Sequence, residues 1–312
     1  SALDPEHPAI VALTAKIAFH DGNLEKARRL FESIVTDGTD DSTVYFLLGI
    51  LEARSGNRRR ANELFTTALE LDDSAAVYWL RYAENRFLMG LDPEEPLQRA
   101  LEIDPDEPWA NNLAGLIALD AGREQEAVER FRKALEHAQG EPEIVSNLAE
   151  ALHRSGNGQE AYGLLESMSD EPACADELGR LYMADGQPER SIAEFTRAVE
   201  LSDGDPDYRE NLAAAYVETD QVLQAEEILS TLLESDPTAA RYTLMAHAAR
   251  AKGEFRRAES AYLEAMKLAP DSDLYARNLA EHYVSTGNYA AAEEIMTRRL
   301  TDASDEIGRA HV

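Results

Sequence analysis

A chain of 312 residues with 44% hydrophobic content is long enough for one to three ordinary domains, or for a single array if it repeats. Sixty acidic residues against thirty basic ones give a formal net charge of −30, a field that repels nucleic acid and anionic lipid and leaves protein as the expected partner. No apolar run is long enough for a membrane-spanning helix, and a single cysteine, Cys174, excludes an internal disulfide framework and a thiolate metal cage.

Along the chain one frame returns: a glycine, an alanine five residues on, and an apolar or aromatic residue four beyond that. Gly22, Ala27 and Phe31 form the first copy and Gly56, Ala61 and Phe65 the second. Gly122, Ala127, Phe131; Gly156, Ala161, Leu165; Gly253, Ala258, Tyr262; and Gly287, Ala292, Met296 repeat it, and Gly186, Ser191, Phe195 nearly does. Asp220 replaces the glycine ahead of Ala225 and Leu229, and Gly90 falls in register without the full pattern. Nine repeats follow, at about 8–41, 42–75, 76–107, 108–141, 142–171, 172–205, 206–238, 239–272 and 273–306. Apolar residues at helical spacing lie on both sides of each glycine, as in Tyr45, Leu48, Gly49 and Leu51 before Gly56 and Ala61, Leu64, Phe65, Ala68 and Leu69 after it. Each repeat is therefore predicted to be two helices, with the glycine, or Asp220, in the left-handed geometry that ends one and starts the next. Prolines and acids in "IDPDEP" and "APDSD" end one repeat and cap the next.

Two repeats depart from the frame. Two residues are missing between Gly90 and Ala100, where Pro93 and Pro96 require a second helix that starts late or is short, and four are missing after Met168. Stacking is expected to shift at both places. Leu3, Asp4 and Pro5 fall where an earlier repeat would end, and Ile307 to Val312 where a tenth would begin. The expectation is an excerpt from a longer array that lacks its native N-terminus, in a bacterial cytoplasmic or periplasmic setting.

The pattern resembles the tetratricopeptide repeat, a helix-turn-helix of about 34 residues. Gly49, Ala61, Phe65 and Ala68 carry the resemblance in the second repeat, Gly179, Tyr182, Phe195 and Ala198 in the sixth, and Tyr242, Ala258, Tyr262, Ala265 and Pro270 in the eighth. It implies an all-α, right-handed superhelical solenoid of nine repeats whose first helices line a groove. Carrying the groove positions over gives an apolar half, Phe46, Ile50, Leu80, Phe87, Trp109, Leu116 and Leu119. The aromatic members are either groove or core. A polar half follows, with Asn147, Arg180, Asn211 and Asn278. The lysine and asparagine clamp by which some relatives hold a carboxyl terminus is not matched, since Ala12 and Lys16 stand at its positions.

Catalytic chemistry has no candidate. The seven histidines show no metal-ligand spacing, His282 reads as a surface residue, and no nucleophile elbow, zinc-protease motif or phosphate loop occurs. No cofactor and no metal are expected. Arg58, Arg59 and Arg60 stand in the first turn of a second helix, on a loop edge away from the groove: either a solvated corner or a basic patch for an acidic partner. The expected function is a non-catalytic scaffold that binds a peptide or protein segment, one with a basic rim given the acids around the groove. The alternatives are the scaffold arm of an enzyme or of an exopolysaccharide export and modification machine, and a structural array that self-associates through uncapped ends. The melting temperature is expected to rise with added salt, as the Debye length falls to about 8 Å or less and carboxylate repulsion is screened. A Tm unchanged between low and high salt would remove that argument.

Overall fold

The computed structural model describes residues 8–270 and 272–310, so the register expected of Leu3, Asp4 and Pro5 lies outside the described residues. Among the described residues the protein is all-α, eighteen helices in nine helix-turn-helix hairpins, with no strand. The chain, expected as one array, divides into two compact bodies, residues 1–158 and 159–312. The N-terminal body carries α1 (Pro8–His20), α2 (Leu24–Asp37), α3 (Ser42–Arg54), α4 (Arg58–Leu71), α5 (Ala76–Leu88), α6 (Glu94–Ile103), α7 (Pro108–Asp120), α8 (Glu124–His137) and α9 (Pro142–Arg154). The C-terminal body begins inside α10 (Gly158–Glu166) and continues with α11 (Pro172–Ala184), α12 (Pro188–Leu201), α13 (Pro206–Glu218) and α14 (Val222–Ser235). It ends with α15 (Ala239–Ala251), α16 (Phe255–Leu268), α17 (Asp273–Ser285) and α18 (Tyr289–Ala310).

The turns form as the sequence requires. Gly22, Gly56, Gly90, Gly122, Gly156, Gly186, Gly253 and Gly287 all have positive φ, and Asp220 takes the same region at φ 60°. The next residue closes each turn by donating its N–H to the carbonyl five residues back, as in Asn57 to Glu52 at 2.9 Å and Gln221 to Tyr216 at 2.8 Å. This bond satisfies a carbonyl that the helix end leaves open. Proline at the first position of α7, α9, α11, α12 and α13 uses the complementary rule, because an N–H missing there has no helical partner to lose.

Helix lengths follow the deletions. The second helix α4 has 14 residues, whereas α6 has 10, with Pro93 as its N-cap and Pro96 in its first turn, and α10 has 9. At the other end, Ile307 to Ala310, expected to open a further first helix, instead continue α18. No proline and no positive-φ residue interrupts the chain between Tyr289 and Ala310.

The paired helices approach most closely where a small residue meets an aromatic ring. A Cβ added to Gly49 would lie 2.7 Å from the Phe65 ring, one on Gly115 would lie 2.5 Å from Phe131, and one on Gly179 2.8 Å from Phe195. Elsewhere alanine takes the small position: Ala15 shares a buried cluster with Phe31, and Ala213 and Ala246 share one with Leu229 and Tyr262. Cys174 is buried, in keeping with a small apolar side chain.

Adjacent hairpins are also joined by buried polar links. Glu52, almost fully buried, accepts from Arg28 of the preceding hairpin and from Asn57 Nδ2 at 2.8 Å. Arg241, equally buried, donates to Glu210 at 2.8 Å and to the Asp236 carboxylate at 2.7 Å. Such pairs cost desolvation that hydrogen bonds must offset: Glu52 accepts on both carboxylate oxygens, and Arg241 donates from Nε and Nη1. Gly115→Ala is expected to destabilise the protein by about 1–3 kcal/mol in urea unfolding. Phe131→Leu in the same chain should recover much of that loss. Additive losses in the double variant would show that ring contact is not the cause.

Candidate functional site

The first helices of the N-terminal body place the predicted apolar residues unevenly. Phe46 is 7% exposed, its ring stacked on Tyr78 at 4.2 Å; Leu80 and Leu119 are 1% and 4% exposed. These three are core, because a first helix is covered both by its own second helix and by the neighbouring hairpin. Ile50, Phe87, Trp109 and Leu116 are half-buried, with Phe87 and Trp109 leaning on the cluster around Leu80 and Leu97. The structure does not gather the seven into one stripe.

Ile50 opens on a pocket of about 380 Å³ between α1, α3, α4 and α5. Phe19, Ala53, Phe65 and Leu88 form its apolar wall, and Arg54, Arg58, Arg81, Glu84 and Asn85 its polar one. Arg58 is thus placed differently from expectation: it borders the groove instead of standing away from it. The cause is tertiary, since Asn85 on α5 donates Nδ2 to the Arg58 carbonyl at 3.0 Å and ties the first turn of α4 to the next hairpin. Arg59 and Arg60 remain outside, Arg60 in an exposed pair with Glu63 at 3.0 Å that contributes little. The charge of the pocket also reverses the acidic surround that implied a partner with a basic rim, for it has three guanidinium groups and one carboxylate. Glu84 is the carboxylate. Burial pushes its carboxyl up, against the pull of Arg81 at 2.7 Å. Arg54 and Arg58 donate no side-chain hydrogen bond and enter no ion pair among the described residues. The sequence reading missed Arg54 and Arg81, since neither shares a helix face with Arg58.

In the C-terminal body, Arg180 and Asn211 meet at a second pocket of about 480 Å³, with Met183, Phe195 and Glu218. Beneath them Asp176, 5% exposed, accepts from Arg180 Nε at 2.9 Å and from Asn211 Nδ2 at 2.8 Å. Burial raises its carboxyl above the ordinary range, opposed by those two partners. Asn147 in the N-terminal body behaves alike, donating Nδ2 to Asn112 Oδ1 at 3.0 Å. Both amides join adjacent hairpins and are occupied in doing so. Asn278, half-buried on α17, is not among the residues that line the Arg180 pocket.

His282 departs most from expectation. It is 1% exposed, its ring 5.4 Å from Tyr262, and its Nδ1 has no hydrogen-bond partner. Burial pushes the imidazole below its usual value and Arg250 adds to this, against Glu259. His247, 5.8 Å from the same tyrosine, is lowered by burial and Arg250 too. Among the described residues no group of three or more His, Cys, Asp or Glu side chains could hold a metal ion, and no helix is long and apolar enough to cross a membrane.

Serial helical hairpins with small-to-aromatic contacts and groove-lining first helices define a helical-repeat scaffold. Models of the tetratricopeptide repeat match residues 118–173, 182–248 and 243–305, and the chain belongs to that family. It is 28% identical over 295 residues to a TPR repeat-containing protein of Treponema pallidum (strain Nichols), a match covering 86% of this chain and 36% of that one. It is 24% identical over 245 residues to cellulose synthase operon protein C of Pseudomonas fluorescens (strain SBW25), covering 70% of this chain and 19% of that one. The chain thus spans well under half the length of these relatives. Its fold is similar to that of the human IFIT1 dimer solved with m7Gppp-AAAA, at a TM-score of 0.57 and 20% identity, covering 93% of this chain and 80% of that one.

The buried histidine gives a pH dependence of definite sign. As pH falls through about 6.5 the unfolded chain takes up a proton at this residue more readily than the folded chain does, so stability is lost. NMR titration of His282 should give a midpoint below 6.5, and His282→Gln should flatten the loss of stability between pH 7 and 5.5. A midpoint at or above the ordinary value would contradict the burial argument.

Proposed function

We propose that the chain is a non-catalytic scaffold that holds a peptide or protein segment against the first helices of its N-terminal hairpins. The observation that carries this reading is the pocket at Ile50, where a half-buried branched apolar side chain faces an opening between successive first helices. Family membership supports it, since tetratricopeptide arrays serve as interaction scaffolds. A segment that seats one apolar side chain beside Ile50 gains roughly 1.5–3 kcal/mol from burial before ordering costs. Leu116, half-buried at the equivalent place on α7, offers a second contact. The Arg180 pocket is the next candidate surface.

Two further readings have an observation each. The cellulose synthase operon protein C relative favours the scaffold arm of an exopolysaccharide export machine, which the full open reading frame would test by the presence of a barrel or glycan-synthase segment. Leu13 and Ile17 on α1 are largely exposed apolar side chains that a second copy of the chain would cover, and a sedimentation coefficient independent of concentration would dismiss that reading.

For the leading reading, decapeptides selected on the folded chain from a random displayed library serve as probes. Ile50→Asp and Leu116→Asp are expected to weaken their binding at least tenfold while the helical signal and Tm hold. Unfolding of both variants would mark these residues as core and move the search to the Arg180 pocket.

A further inference from the structure

We infer that the Ile50 pocket is selective for an acidic-apolar segment of a partner protein, one that presents a carboxylate beside an aliphatic or aromatic side chain. The inference rests on the scaffold reading above and names the chemistry its site selects. Arg54, Arg58 and Arg81 border a single opening of about 380 Å³ in a chain of net charge −30. Acids outnumber bases two to one in the sequence, so three guanidinium groups around one opening make a local field opposite to that of the whole chain. Glu84 is engaged by Arg81 at 2.7 Å, and Arg54 and Arg58 are left unneutralised. Like charges that share a small opening repel, and a bound carboxylate removes that repulsion while forming charge-assisted, potentially bidentate hydrogen bonds.

The fold holds these groups in place. Arg54 ends α3 and Arg58 begins α4, so the turn at Gly56 aims both toward the same opening, and the Asn85 bond to the Arg58 carbonyl fixes that turn against α5. Asn57, the N-cap of α4, makes no side-chain cap bond; its Nδ2 is directed to Glu52 instead. The positive end of α4 thus adds to the two guanidinium groups. Opposite them Phe19, Ile50 and Leu88 supply the apolar wall, and Leu88 is largely exposed. A ligand that satisfies both walls carries an acid and an apolar side chain within a residue or two of each other.

A carboxylate-bearing peptide fits better than a nucleic acid. One or two carboxylates sit within contact distance of the arginines and beyond a Debye length, about 8 Å, from most of the remaining charge. A polyanion runs on across a surface that repels it.

The test is selection of a random decapeptide library displayed on phage against the folded chain, followed by fluorescence anisotropy of labelled peptides made from the enriched sequences. The expected result is enrichment of Asp or Glu within two residues of Leu, Ile or Phe. Replacing that acid by its amide, or Arg54 and Arg58 together by Ala, should each weaken binding at least tenfold. Arg58→Glu should restore affinity for the peptide with lysine in place of its acid. The amide peptide is measured on the unaltered chain, so the result does not depend on any variant folding. Enriched peptides that are basic or neutral, yet still depend on Ile50, would overturn the acidic-apolar assignment and leave the scaffold reading standing. Indifference to the amide replacement would overturn it as well, as would displacement of the peptide by an RNA oligonucleotide of equal charge. Dimerisation of the chain abolished by the arginine changes would assign the pocket to a second copy instead. A library from which nothing is enriched would sink both readings.

Discussion

The approach of two helices within each hairpin is the constraint on which the rest of the structure depends. At Gly49, Gly115 and Gly179 no Cβ fits, because the ring of Phe65, Phe131 or Phe195 occupies its place at 2.8 Å or less. The first-helix residue stays small at the equivalent places too, with Ala15, Ala213 and Ala246 paired with Phe31, Leu229 and Tyr262. Packing at crystal-like density leaves no slack for both to be large. Close hairpins bury the second-helix stripe, Ala61, Leu64, Phe65 and Ala68 in α4, and each second helix also packs on the first helix of the next hairpin. The remainder of that first-helix face becomes the groove.

What the groove presents is then decided by how neighbouring hairpins are joined. Apolar contacts take Phe46, Leu80 and Leu119 out of reach, and amide links take Asn147 and Asn211. These polar bridges are conditional on their partners: a buried carboxylate such as Asp176 is tolerable because Arg180 and Asn211 satisfy it. Residues that a repeat register marks as available for a ligand are thus available only where the neighbouring hairpin does not claim them.

Charge works on two scales here. Across the molecule the excess of carboxylates sets solubility and long-range repulsion. Within a few ångströms the sign is set by which side chains the turn at Gly56 and the α5 helix bring together, and there it is positive. The net charge of −30 and an arginine-lined pocket are compatible because screening separates the two scales.

By itself the sequence determined the hairpins. A glycine or Asp220 at positive φ, small residues opposite rings and prolines at helix starts act within a few residues or one hairpin, and the nine turns, the short α6 and the repeat family follow from them. Local backbone sterics and period-3.6 patterning do not need the rest of the fold to be read. Tertiary structure alone decided the fate of side chains between hairpins. Phe46 and Ile50 are one helical turn apart on α3, yet one is core and the other borders a pocket. His282 resembled a surface residue until the rings of Tyr262 and Phe255 closed over it. Arg54, Arg58 and Arg81 come together across two helix ends and a neighbouring helix. Their meeting depends on how one hairpin is set against the next, a relation spread over dozens of residues that no single stretch of sequence encodes.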